Sequence, residues 1–530
     1  MAEFVEWVLK LHKEILEENP IFASSQGDFS FAHRWPNISK QGIERLSQRI
    51  SGWIERSSQF EGKDAELVRW FLEFAKFELD GLRFWEKIPG LAGIILSGCF
   101  HLVVKTTPEE ERRLEALVKR LETIGPLVEA TKQRVVEPYR IWQEAEKDSL
   151  NGLESYLKTL PKHFVSERDR LQEAVQKALK ELATYRAWLD KVHGKEGLPV
   201  NKETYAELIA MRKLGLELDE ILELANKYLK ETEMTLEQIA RTLGGDVATV
   251  RQNIREDHPP SYEIALQDYR KLAAEAKQFL LEKDLLTMPD ERLEVIFTPE
   301  PMRRFLSIAA AGSPGLFERD KTGYFYLTPH EDKKMLEEHN YSFQSLLISH
   351  ESYPGHHIHG ACKNLQLSPA RSSILANILP FSGLRYSSKL ADITEGWGLY
   401  CEQMMFDQGF KNDLHHPDLR KKFLLANALR WRATRVIIDI SLHTGKMSFE
   451  DAVDYLIKNT GYNEQTARSE ILMYSQSPGY FLSYMLGKHL IMKLKKDTEL
   501  PLKEFHNRIL YAGNVPFWFL KDEIYFSSSS

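Results

Sequence analysis

Up to about residue 290 the chain repeats one pattern, apolar residues three and four positions apart with charged residues between them, which predicts amphipathic helices. Glu109–Thr123, Ser166–His193 and Tyr262–Leu285 show it along their lengths, and Pro and Gly fall mostly between such segments. No fixed-period repeat is visible. Ile88–Val104 is oily throughout but contains Pro89, three glycines and His101. It is shorter than the roughly 20 apolar residues a spanning helix needs, so it reads as buried core. The period changes near the middle. Arg292–Thr298 (RLEVIFT) and Gly323–Thr328 (GYFYLT) are short, β-branched and aromatic, and predict strands. The stretch AAAGSPGLFERDKTG between them predicts a loop, and after residue 340 the helical period returns. The expected fold is mainly α with a small β-sheet, in two parts. A helical domain over 1–290 covers a deep cleft, and a catalytic domain spans 291–530. The Ser527–Ser530 tail is low complexity.

Composition narrows the class. The chain has 530 residues, with 70 Lys+Arg against 77 Asp+Glu and a formal net charge of −7. Hydrophobic residues make up 43% and charged residues 28%, which excludes a disordered chain, a collagen and a coiled-coil rod. The mild acidity argues against a nucleic-acid binder driven by bulk charge. Cys99, Cys362 and Cys401 are too few and too scattered for a disulfide framework. The first twenty residues place acids at once and lack the separate apolar core of a secretory leader. A cytoplasmic location is the expectation.

The most informative stretch is YSFQSLLISHESYPGHHIHG, residues 341–360. Phe343, Leu346, Leu347 and His350 recur at the helical period, so His350 projects from the apolar side of a helix. Glu351 follows it, and His356, His357 and His359 come soon after. Four of the chain's 17 histidines thus fall within ten residues. A histidine, an adjacent glutamate and a second histidine a turn later allow two imidazoles to hold a metal. The carboxylate then takes a proton from a metal-activated water. The ordinary place for the second histidine is Pro354 here. Pro354 and Gly355 can bulge the helix, which selects His356; a regular helix returns to the same face after seven residues, which selects His357. The unused histidine packs or orients a ligand. A third ligand is offered by Glu395 in ADITEGWGLYCEQMMFDQGF, with Glu402 on the same helical face as a supporting carboxylate. Asp392 could instead cap that helix, with Glu395 closing the box.

The string HESYPGHH (His350–His357) resembles the H-E-x-x-P-G-H-H signature of a widespread family known only as a domain of unknown function. The family's E-G-W-x-L-Y-x-E string is matched by Glu395–Glu402. Its R-x-x-R-x-x-x-D-x-x-L-H pattern resembles Arg432, Arg435, Asp439, Leu442 and His443, and its near-terminal pattern resembles Phe505–Pro516. The match runs in order from about residue 280 to the end. It is similar to the glutamate-ligand zincins, in which a His-Glu helix supplies two ligands and a later helix supplies a glutamate. The dipeptidyl-peptidase III type among them tolerates an insertion between the two histidines. SPGYFLSYMLG (Ser477–Gly487) is similar to a string of the thermostable zinc carboxypeptidases whose tyrosines face the substrate carbonyl. That resemblance implies Tyr484 and Tyr480 as oxyanion donors, although the family more often carries Gln at the position of Tyr480.

Supporting roles follow. Tyr480 and Tyr484 are four residues apart and share a helical face. Arg432, Arg435, Asp439 and His443 form a polar stripe on an otherwise apolar helix. It suits either a substrate carboxylate held by the arginines, with Asp439 behind them, or an internal Arg–Asp pair. His443 is a further candidate to stabilise the oxyanion. By analogy with zincins, the strand Gly323–Thr328, carrying Tyr324 and Tyr326, lies at the sheet edge along the substrate.

A rival reading comes from Thr235–Ile254. There Ile239, Ala240, Leu243, Gly244, Val250 and Ile254 sit where a helix-turn-helix DNA reader keeps its core and turn. The second helix carries only Arg251 and Arg255 as cations. The expectation is a zinc-dependent peptide hydrolase, a carboxypeptidase or oligopeptidase acting on short peptides. One zinc ion is held by His350, His356 or His357, and Glu395, and Glu351 is the general base. Its partners are a short peptide or peptide-like substrate and, in assembly, a homodimer, with no nucleic acid and no membrane. The alternatives are a zinc amidohydrolase on a non-peptide amide, a DNA-binding protein, or a non-catalytic binding protein.

Overall fold

Helix starts fall where the periodicity begins, and many carry their own caps. Asn201, Asp246, Ser261, Asn340, Asp418, Ser448 and Asn463 each turn a side-chain oxygen onto the free N–H groups of a helix start. The computed structural model describes residues 2–526 except 106, 165–167, 200, 304, 305, 307, 414, 416 and 417, so the Ser527–Ser530 tail lies outside the described residues. The chain is mainly helical with a small three-stranded sheet. The three clearest helical patterns appear as Glu110–Glu122, Arg168–Leu189 and Tyr262–Glu282. Among the described residues no helix is long and apolar enough to cross a membrane.

Two compact units divide the chain. The first comprises residues 1–199, 315–319 and 367–386. Its core is the oily stretch, now the helix Leu91–Val104, whose Leu91, Ile95, Cys99 and Leu102 are fully buried among Leu117, Leu150, Leu157, Ala178 and Leu182. Several polar groups in this core are paired. Arg134 donates to the carbonyl of Ile88 at 3.0 Å. Glu146 accepts from the Ala92 amide at 2.9 Å and from the Tyr185 hydroxyl at 3.2 Å. Burial outweighs those bonds and pushes the Glu146 carboxyl up to about 7.

The second unit comprises residues 200–314, 320–366 and 387–530. The boundary therefore falls at 199–200 and not at 290, because the helices between these positions bury their apolar sides in this unit. Its sheet contains β1 (Arg292–Phe297), β2 (Ala309–Gly312) and β3 (Thr322–Leu327) in the order β1-β3-β2. β1 runs parallel to β3 and β2 antiparallel, with Ala309 opposite Leu327 and Gly312 opposite Tyr324. Two expectations are corrected here. Ala309–Gly312 is a strand and not loop, and β3, which carries Tyr324 and Tyr326, is the central strand and not the edge. β3 is flanked by two edge strands, β1 and the short β2. The small residues of β2 have a reason: a Cβ on Gly312 would lie 2.7 Å from the Tyr326 ring, which crosses over the strand.

Five helices frame the site: α1 (Tyr341–Glu351), α2 (His356–Lys363), α3 (Ala391–Asp407), α4 (Leu419–His443) and α5 (Ser483–Lys496). α3 and α5 cross with their backbones touching, since a Cβ on Gly396 would lie 2.5 Å from the main chain of Gly487. The helix Leu218–Thr242 runs along α4. It turns at Gly244 into Val247–Glu256, forming the helical hairpin that resembled a DNA reader. Leu236, Ile239, Ala240, Val250 and Ile254 close over Phe423 of α4. Arg251 donates to Asn427 at 3.0 Å, and Arg255 is paired with Glu337 and Glu338.

Glu146 gives the fold a pH signature. Between about 4.5 and about 7 the folded chain keeps a proton that the unfolded chain has released, so its contribution to stability falls as pH rises through that window and then levels off. Glu146→Gln removes the effect. Thermal melting should show the variant gaining on wild type at pH 8, on the order of 2–3 kcal/mol, with the gain gone by pH 4.5. An equal difference at both pH values would contradict a buried, protonated Glu146.

Candidate metal centre

The site begins with a broken helix. α1 ends at Glu351, where the amides of Ser352 and Tyr353 both turn back to the Ile348 carbonyl, at 2.9 and 3.1 Å. Pro354, which has no N–H, occupies the position a continuous helix would give to the second histidine. Gly355 then passes so close to the His350 carbonyl that a Cβ there would sit 1.7 Å from its oxygen, which only glycine permits. The Trp397 indole donates to the Pro354 carbonyl at 2.9 Å and ties the turn to α3. α2 starts at His356. Its ring meets that of His350 edge to face, with centroids 4.7 Å apart.

α3 supplies the carboxylates. Glu395 Oε2 lies 3.9 Å from His350 Nε2 and 3.6 Å from His356 Nε2. Among the described residues His350, His356 and Glu395 form the group whose ligand atoms lie within 4.8 Å of one another. A tetrahedral ion with bonds of about 2.0–2.2 Å holds its ligand atoms roughly 3.4 Å apart, so the spacing fits a cation with little adjustment. The donor set also fits. Glu402, two turns beyond Glu395, accepts the Nδ1 proton of His350 at 2.7 Å, which turns the Nε2 lone pair toward Glu395 and His356. α3 comes this close because position 398 is glycine; a Cβ there would lie 2.6 Å from the His350 ring.

Electrostatics are set by burial and pairing together. Burial alone would raise both glutamates. His356 and His350 outweigh it at Glu395, helped by Tyr480, and hold that carboxyl at about 2. The His350 bond does the same for Glu402, which lies below the ordinary range. Burial works to lower His356, but the adjoining Glu395 and the charge of Glu351 leave it above its ordinary value. Such a site attracts positive charge, whether a proton or a metal ion.

Around this group stand candidate catalytic side chains. Glu351 Oε2 accepts the Ala311 amide of β2 at 3.0 Å, so the acid beside His350 also sits on the sheet edge. Tyr480 donates to Glu395 Oε1 at 2.7 Å, and the Tyr484 ring stands 6.0 Å from that of Tyr480. Both phenols are pushed up by burial and by the charge of Glu395, and stay protonated donors. Tyr480 lies in the turn before α5, which begins at Ser483, rather than on the helix. That turn is anchored twice. Asp439 of α4 accepts the amides of Gly479 and Phe481 at 3.0 and 3.1 Å. Arg212 donates to the Gly479 carbonyl at 2.6 Å and to Ser483 Oγ at 2.7 Å, while forming a buried pair with Asp392 of α3. Asp392 is thus spent on Arg212 and does not cap α3.

Several expected residues lie elsewhere. His357, the alternative second ligand, turns away from the group. Its Nε2 bonds Glu291, because consecutive residues at a helix start point in different directions. His443, expected at the oxyanion, bonds the Tyr474 carbonyl at 3.1 Å and stacks on Tyr205. Asp439 touches none of the three ligands and acts on the Tyr480 turn. Arg435 spends its Nε on the Tyr474 hydroxyl at 2.8 Å and its Nη2 on Glu470 at 2.9 Å, an internal ion pair rather than one with Asp439. Arg432 lies over Trp431 at 4.3 Å and 5.9 Å from the Tyr484 ring, with its buried Nε bonded to nothing among the described residues. Sequence reasoning missed Glu291, Ala311 and Arg212. Nothing in DERLEVIF or MRKLG sets Glu291 or Arg212 apart from surface charges, and Ala311 acts only through its backbone amide.

A family model described as "Bacterial protein of unknown function (DUF885)" matches residues 20–524. No curated protein matches the chain. Two solved structures share the fold, each described as a "putative lipoprotein". One is from Shewanella oneidensis, at 18% identity and TM-score 0.79, with 98% of each chain covered. The other is from Colwellia psychrerythraea, at 18% identity and TM-score 0.79, with 99% of each chain covered.

The Arg212–Asp392 pair yields a stability prediction. Arg212→Met leaves Asp392 buried and unpaired and should lower the unfolding free energy by about 3–5 kcal/mol. Adding Asp392→Leu should recover most of that loss. Denaturant melts of the single and double variants check it, and equal destabilisation of both would refute the pairing argument.

Proposed function

The chain belongs to this bacterial family of unknown function, and we propose that it is a zinc-dependent peptide hydrolase, a carboxypeptidase or oligopeptidase of the glutamate-ligand zincin type. One observation carries the reading. The ligand atoms of His350, His356 and Glu395 converge while Glu402 backs His350, and a further acid, Glu351, held only by the Ala311 amide, stands next to the first ligand. A structural metal needs no such acid.

A bound zinc would supply Lewis acidity toward the substrate carbonyl. Glu351 takes the proton of the attacking water and passes it to the leaving amine. Tyr484, with Tyr480, donates to the oxygen on which negative charge develops. The substrate backbone lies along the outer side of β2, next to the Ala311 amide that Glu351 holds. Arg432, with its unbonded Nε beside Tyr484, takes a substrate carboxylate.

Glu351→Gln tests the reading, because glutamine keeps the shape of the side chain and an oxygen for the Ala311 amide. The purified variant should retain about one zinc per chain by elemental mass spectrometry, with the metal absent from His350→Ala. Its turnover on a short-peptide library should fall roughly 100- to 10,000-fold. Undiminished turnover with zinc still bound would sink the mechanism.

A further inference from the structure

A second polar cluster lies on the other side of the 352–355 turn and takes no part in the chemistry above. Its centre is Glu291, the residue before β1, whose side chain is 1% exposed. Three donors converge on it. The Tyr353 hydroxyl is 3.0 Å from each oxygen, Lys277 Nζ is at 2.7 Å, and His357 Nε2 completes the set. The Tyr353 and His357 rings meet edge to face, with centroids 5.4 Å apart. Burying a carboxylate is costly unless it is fully paired, so this cluster has one arrangement and little freedom to relax.

Its place in the chain matters more than its composition. Tyr353 and His357 bracket Pro354, Gly355 and His356, the stretch that delivers the second ligand. α2 is 8 residues long, starts with His356, and has no side chain capping its first turn. So short a helix does not hold itself in place. The His357 ring is wedged against β3 as well, since a Cβ on Gly323 would lie 2.3 Å from its Nδ1. The turn is held on one side by Trp397 at the Pro354 carbonyl and on the other by Glu291 through two rings.

We infer that Glu291 is a positioning residue for the metal centre. Through Tyr353 and His357 it fixes the start of α2 so that the His356 imidazole meets His350 and Glu395 before any ion arrives. The adjacent histidines divide the work, His356 facing the ion and His357 facing Glu291. This rests on the metal-centre reading above. It adds that the affinity of the centre is set in part by a carboxylate that never touches the ion, as partners behind metal ligands do elsewhere.

The test uses the full chain as wild type, Glu291→Gln and Tyr353→Phe. Zinc affinity is read by competition with a chromophoric chelator, and the visible spectrum of the cobalt-loaded protein is read beside it. Thermal melting of the metal-free chains reports the fold. Positioning predicts zinc binding weakened about 10- to 100-fold in Glu291→Gln and less in Tyr353→Phe, with altered cobalt bands in both. A merely structural role would lower the melting temperature and leave affinity and spectrum unchanged, which overturns the inference. Tyr353→Phe carries the test if Glu291→Gln does not fold. Zinc held by wild type and equally by both variants defeats this inference alone. No zinc on the wild type defeats the metal-centre reading and this inference with it.

Discussion

The site depends on how closely α3 approaches α1. Glu395 and Glu402 reach the two sides of the His350 imidazole only because the facing surface of α3 carries glycine at 398. The same helix bears on α5 through the Gly396–Gly487 contact. Two short-range contacts therefore position α3, one setting its carboxylates on the histidines and the other setting its distance from the tyrosine turn. Any side chain at 396 or 398 would push the helix away by more than the few tenths of an ångström a ligand set tolerates.

Close approach buries charge, and the second unit answers with pairing at each place. Glu402 has His350, Glu395 has His356 and Tyr480, Glu291 has three donors, and Asp392 has Arg212. The carboxylates that end below their ordinary range do so against burial, through specific partners. A network of this kind fixes geometry more than it adds stability, since replacing a buried pair with apolar groups often costs little while breaking one costs much.

The sequence made some of this visible and hid the rest for physical reasons. His350 stood out because it sits on an apolar helical stripe, Glu351 because it directly follows that histidine, and Glu395 with Glu402 because seven residues return a helix to the same face. The choice between His356 and His357 turned on a break whose shape depends on contacts with Trp397 and the His350 carbonyl, both beyond local periodicity. β2 was unreadable because Ala-Ala-Ala-Gly has no strand propensity; it forms against the backbone of β3 under a tyrosine ring. The unit boundary was misplaced because residues 200–290 have the same amphipathic pattern whichever core they join. Glu291 and Arg212 look like surface charges until the chain is folded.

The contact between Glu351 and the Ala311 amide bears on a hazard of a different kind. β2 is an open edge of small residues, the sort of strand onto which another copy of a chain can add. Here one of its outward amides is already taken by a carboxylate, and a stray strand would have to displace that charge to pair. The acid beside His350 thus also covers part of one of the two edge strands of the described sheet, so losing its side-chain oxygen would bare an amide that another chain could pair with.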